Sequence, residues 1–174
     1  MTSRPSCQLL AAVLCMSALG CGPEDDPAPP IPSDGVENSA VLGTGQAEFA
    51  TIEGEPELTL VAGIQGGFHV WASFLAYGFS APLIGMVLTT TVEDVPGARI
   101  VMRANLTTRE VTDPEGEEAR SFAGFPAQIY DARCANGRRV RLDLRLIDAD
   151  GTMAEDTRHC IARVAPELRS PDCE

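Results

Sequence analysis

Between residues 139 and 148 the chain alternates without a break, with Val140, Leu142, Leu144 and Leu146 set against Arg139, Arg141, Asp143 and Arg145. A period of two places these two sets on opposite sides of an extended strand, one side dry and one wet. A helix would scatter the same residues around its whole circumference, so this stretch commits its part of the chain to an antiparallel sheet with one solvated face. Asn136-Gly137 and Asp150-Gly151 bracket the strand. Asn or Asp followed by Gly tolerates the positive φ angles of a type I′ turn, which predicts a tight hairpin on each side. The last three strands, 127–134, 139–148 and 156–164, are therefore expected to form a meander.

The same short alternating runs, broken by Gly, Pro and Asp, recur from residue 46 onward, with no long stretch at helical period. Further strands are expected at 47–52, 57–61, 68–79, 84–92 and 99–106. Turn signals such as Glu53-Gly54-Glu55-Pro56, Pro96-Gly97 and Asp113-Pro114-Glu115-Gly116 lie between them. Seven to eight strands at this spacing predict an all-β, immunoglobulin-like sandwich of two sheets over residues 46–174. The strand around Val70-Trp71 is apolar on both sides, as in a central strand, which makes Trp71 the expected core anchor.

Ahead of this domain the composition changes twice. Residues 1–20 carry Arg4 and then a short apolar core, a pattern of secretory signals, too short to span a bilayer. Ala18-Leu19-Gly20-Cys21 resembles the lipobox of bacterial lipoproteins, in which the cysteine receives the lipid and becomes the first residue. The resemblance implies lipidation at Cys21, and Gly22 after it, rather than Asp, implies the outer membrane. Residues 21–45 are rich in Pro and acids up to Glu37, cannot bury apolar surface, and read as an extended tether.

Net charge narrows the partners. The chain carries a formal −12 and every basic residue is Arg. An acidic protein lacks the cationic surface that binding nucleic acid or anionic lipid requires, and a chain without Lys cannot use a Schiff-base or phosphate-loop lysine. In an oxidising compartment Cys134, Cys160 and Cys173 remain after lipidation of Cys21, an odd number. The expected disulfide joins Cys134 to Cys160; Cys160 with Cys173 is the alternative.

The run Gly63-Ile64-Gln65-Gly66-Gly67-Phe68-His69-Val70-Trp71 resembles a GxQGGxHVW motif of secreted lipoproteins from myxobacteria and related Gram-negative bacteria. In those proteins the motif likewise follows a lipobox and an acidic Pro-rich tether, and the resemblance implies a β-sandwich without implying a chemistry.

Few residues offer chemistry of their own. His69 shares a strand face with Trp71, and with His159 and a free cysteine it would provide imidazole and thiolate for copper or zinc. No His-x-His, Cys-x-x-Cys or His-Glu-x-x-His spacing supports that, so no metal or other cofactor is expected. Asp148, Asp150, Glu155 and Asp156 cluster at a turn without the spacing of a calcium loop, since the twelfth position is His159. Gly78-Phe79-Ser80-Ala81-Pro82 is not a nucleophile elbow. The remaining pattern is arginine: Arg139, Arg141 and Arg145 share one face, Arg99 and Arg103 another, and if those strands are neighbours they can grip a carboxylate or phosphate with forked hydrogen bonds. The function expected is that of a lipid-anchored envelope module that binds or assembles with an envelope protein or glycan, without catalysis. A small-ligand or metal-binding domain and a hydrolytic enzyme are the alternatives.

Overall fold

A computed structural model describes residues 38–63 and 67–169. The signal, Cys21, the tether up to residue 37, Gln65-Gly66 of the motif and Cys173 lie outside these residues. The described chain is all-β and builds two sheets facing one another, with two short 3-10 turns at Ala132–Cys134 and Pro166–Leu168. The strands are β1 Ser39–Thr44, β2 Ala50–Thr51, β3 Glu57–Thr59, β4 Val61–Ala62, β5 Phe68–Tyr77, β6 Leu83–Val92, β7 Arg99–Thr107, β8 Arg109–Thr112, β9 Glu118–Gln128, β10 Arg139–Ile147 and β11 Met153–Arg163. Sheet A has the order β2-β1-β5-β9-β8, with β4 on β5; sheet B has the order β3-β11-β10-β6-β7. Among the described pairings only β3 with β11 is parallel.

The alternation of β10 is obeyed throughout. Val140, Leu142, Leu144 and Leu146 are buried, and β6 supplies Ile84, Met86, Leu88 and Val92 beside them. Sheet A answers with Leu42, Val70, Ala72, Phe74 and Ala127. Burying such side chains stabilises by about 1.5–3 kcal/mol each, which makes this layer the main favourable term of the fold. Thr90 is buried in the same layer because its Oγ1 donates to the Gln128 carbonyl at 2.5 Å, tying β6 of one sheet to β9 of the other.

Several expectations are corrected. β1 lies inside the stretch read as tether; its six residues, with Ala40, Leu42 and Gly43 buried among Ser39, Val41 and Thr44, are too short a run to stand out beside the Pro-rich segment before them. The expected strand at 127–134 is instead the tail of β9 followed by a 3-10 turn, and β9 pairs with β5 rather than with β10. The meander therefore shrinks to the β10–β11 hairpin, and the other neighbour of β10 is β6. Asn136-Gly137 does not close a hairpin: the Asn136 side chain accepts the Val164 N–H at 3.1 Å and the Gly137 N–H donates to the Ala162 carbonyl at 2.8 Å, so the pair anchors the entry of β10 to the end of β11.

Among the strands of four residues or more, one sheet carries the order β1-β5-β9-β8 and the other β11-β10-β6-β7, so the expected all-β sandwich of two sheets is formed. The Cys134–Cys160 disulfide is not formed. Cys160 is a free thiol at an inward position of β11 opposite Val140, buried in the core, and Cys134 is engaged elsewhere.

Where the two sheets meet along β1 and β11, the inward face of β11 carries Asp156 and Arg158 instead of apolar residues. β2 pairs with β1 only at Gly43 and Thr44, which leaves the Leu42 N–H without a strand partner on that side. Asp156 Oδ2 accepts this N–H at 2.7 Å and the Arg158 Nε at 2.8 Å, so the carboxylate clamps the sheets together at their open side.

Candidate functional site

The outward faces of the two sheets differ in what the chain lays over them. On sheet A the outward residues of β5 are His69, Trp71, Ser73, Leu75 and Tyr77. Ser73 is 1% exposed, and its Oγ donates to the Thr44 carbonyl. A bulge in β9 brings Gly124 against the loop after β1, where its N–H donates to the Gly45 carbonyl at 3.1 Å. Gly124 has φ +84°, and a Cβ there would stand 2.4 Å from the Gln46 carbonyl oxygen, so only glycine permits this closure. Leu75 and His69 are buried as well.

His69 and Trp71 lie together, as expected, with ring centroids 4.5 Å apart and edge to face. Trp71 is half-buried and belongs to this outward row, not to the core; the anchor between the sheets is Phe74, which stacks near Phe122. Burial holds the His69 imidazole below its ordinary pKa, and its Nε2 is buried without a hydrogen-bond partner. Among the described residues no group of three His, Cys, Asp or Glu side chains is arranged to hold a metal. His159 is remote in role, lying 3.4 Å from Glu93 on sheet B.

The acidic turn spends its carboxylates on structure. Asp148 Oδ1 accepts the N–H groups of Asp150 and Thr152 at 3.0 and 2.9 Å, and the Gly151 N–H donates to the Asp148 carbonyl, which closes the β10–β11 hairpin. A hollow of about 750 Å³ opens near Phe79, Ser80 and Val111, a feature no sequence pattern announces. Its one cation, Arg120, is committed to the Ser80 carbonyl at 2.6 Å and to Glu110 at 2.8 Å. The Tyr77 hydroxyl donates to Asp113 at 2.8 Å; burial and that carboxylate push the phenol up to about 12.

Sheet B presents the arginines. β6 lies between β7 and β10, and the registers align Arg99, Thr91 and Arg141 in one cross-strand row and Arg103, Val87 and Arg145 in another. With strands about 4.8 Å apart and about 3.3 Å per residue, the four guanidinium stems start from a rectangle roughly 10 by 13 Å. Arg141 is held by Asp143 at 2.8 Å and Arg145 approaches Glu155 at 3.5 Å. Arg139, the third arginine expected on this face, pairs with both Glu55 and Glu93, and those carboxylates hold it charged. Among the described residues no carboxylate pairs with Arg99 or Arg103.

Beyond the second row the face turns apolar. Leu83, Ile147 and Met153 are exposed, and Gly85 leaves a shallow dip of about 420 Å³ rimmed by Ile147, Val87, Arg103 and Asn105. Two guanidinium groups without a carboxylate partner, Arg99 and Arg103, thus stand beside an apolar margin on the outward face of sheet B. No family model matches the chain, and no curated protein or solved structure matches it.

Proposed function

We propose that this protein is a binding or assembly module of the bacterial cell envelope, carried at the outer membrane by a lipid on Cys21 and docking its partner on the outward face of sheet B. The observation that carries the docking face is the pair of cross-strand rows that place Arg99, Arg103, Arg141 and Arg145 together in a chain of net charge −12. An acidic protein that sets four arginines, two of them without a carboxylate partner, on one face offers a local attraction that its net charge opposes elsewhere, which favours orientation and selectivity over indiscriminate adhesion. The lipobox-like Ala18-Leu19-Gly20-Cys21 and the acidic tether support the location. The partner class this reading takes is an envelope protein or glycan bearing carboxylates or phosphates.

Photo-crosslinking in intact cells tests it, with the photoreactive residue placed at Val101, exposed on the outward face of sheet B, and, for comparison, at Trp71 on that of sheet A. Enrichment of one envelope component from Val101 alone is the expected result, and capture only from Trp71 overturns the face. Cys21→Ala is expected to move the protein from the membrane to the soluble fraction; unchanged membrane association overturns the lipid anchor.

A second reading rests on His69, whose unpartnered Nε2 beside Trp71 suits a small ligand or a metal ion. Metal analysis of the purified chain with and without His69→Ala decides it, a stoichiometric ion lost with the imidazole being the supporting result. A hydrolytic enzyme has no such observation behind it.

A further inference from the structure

The outer edge of sheet B is β7, nine residues long, which pairs with β6 on one side and with no other described strand. The Val92 N–H donates to the Ala98 carbonyl and the Thr108 N–H to the Pro82 carbonyl. Opposed residues of an antiparallel pair alternate between bonded and non-bonded positions. With residues 98 and 108 bonded toward β6, the intervening even residues Ile100, Met102, Ala104 and Leu106 face β6 as well. Val101, Arg103 and Asn105 therefore direct their N–H and C=O groups away from it, into the open edge. Their side chains, with Arg99, are exposed on the outward face.

A long flat edge of this kind pairs with other chains unless something opposes it. Here the opposition is selective. Antiparallel pairing of β7 with β7 of a second copy, centred on Val101, would set Arg99 opposite Arg103 twice, and like charges directly opposite are destabilising. The same two arginines, unpaired in the chain itself, favour a strand carrying acids at the matching positions.

We propose that β7 takes up an extended acidic segment of a partner polypeptide as an added strand, with two acidic side chains four residues apart meeting Arg99 and Arg103 and an apolar side chain between them packing on Val101. Main-chain hydrogen bonds to Val101, Arg103 and Asn105 supply affinity and the alternate side chains supply selectivity. The inference rests on the docking face proposed above and adds the mode of binding and the chemistry of the partner.

The test uses the full chain in detergent and a labelled peptide Thr-Glu-Thr-Val-Thr-Glu-Thr, read by fluorescence anisotropy. Val101→Pro removes one outward N–H while leaving every bond to β6, a position where an edge strand accepts proline. Both Val101→Pro and the double variant Arg99→Glu/Arg103→Glu are expected to weaken binding by about tenfold or more. The same peptide methylated on alternate backbone nitrogens is expected to bind as weakly to the unaltered chain, which keeps the test decisive if Val101→Pro fails to fold.

Binding that depends on the arginines but ignores both Val101→Pro and methylation overturns strand addition and leaves a side-chain docking face. Absence of peptide binding overturns the partner chemistry, as does retention by an acidic polysaccharide such as polygalacturonate that Val101→Pro does not affect. A dimer in sedimentation that Val101→Pro dissolves assigns the edge to a second copy and overturns the proposal. Crosslinks in cells confined to sheet A overturn the docking face itself, whatever the peptide does.

Discussion

The outward faces of the two sheets begin from the same rule and end differently. On sheet A the residues that point away from the partner sheet, Ser73, Leu75 and His69, are almost as buried as the core, because the loop after β1 and the bulge of β9 close over or beside them. On sheet B the outward residues of β7 are exposed, as are Arg141, Arg145 and Ile147 of β10, while the central β6 keeps Leu83 half exposed but buries Thr89 between its neighbours. A strand period says which side chains travel together; the loops say which company is covered. One outward face has become a minor core, and the other keeps the side chains of its edge strand β7 in solvent.

Substitutions on the two sides sharpen that contrast. Phe74→Ala, between the sheets, is expected to cost about 3–5 kcal/mol in denaturant unfolding, the transfer and cavity terms together. Asp156→Ala should cost about 2–3 kcal/mol, since it strands the Leu42 N–H and the Arg158 guanidinium at the clamp. Leu75→Ala, on the covered outward face, is expected to cost about 2 kcal/mol, and Trp71→Ala less than Phe74→Ala because its ring is only half-buried. Arg99→Ala, on the open face, should change stability by under about 0.5 kcal/mol. Equal costs for Leu75→Ala and Arg99→Ala would mean that the two faces are equally exposed in solution.

Two titrations probe the covered side more gently. Burial lowers the His69 pKa, so below its ordinary value of 6.5 the unfolded chain binds a proton that the folded chain resists. Stability is therefore expected to fall as pH drops from 6.5 through the lowered value, and His69→Phe should remove that dependence. Asp113 is held below its usual range by the Glu117 N–H and the Tyr77 hydroxyl. Its contribution is present above the ordinary carboxylate range and lost as pH falls through the lowered value, which amide exchange at Glu117 would report. Cys160, whose thiol burial pushes up to about 12, is expected to stay unmodified by thiol reagents until the protein unfolds.

Much of this was legible in the residues. The β10 face, the Asp150-Gly151 hairpin and the joint placement of His69 and Trp71 all follow from period two and turn chemistry, which act over a few residues. The disulfide, the role of Trp71 and the meander were misread because each depends on which strands become neighbours. Cys160 lies opposite Val140 in the core, and β6, distant in sequence, takes the place beside β10 that the meander would have filled.

The sequence by itself determined that the described chain is β, which side chains share a face along each strand, and that Arg139, Arg141 and Arg145 point one way. Only the tertiary structure decided that Arg99 and Arg103 stand across from Arg141 and Arg145, that β1 belongs to the domain, and that one outward face is roofed while the β7 side of the other is exposed. The physical reason is range: alternation and turn propensity are settled by neighbouring peptide units, whereas strand order and coverage are settled by whichever long-range burial of apolar surface leaves the fewest polar groups unpaired.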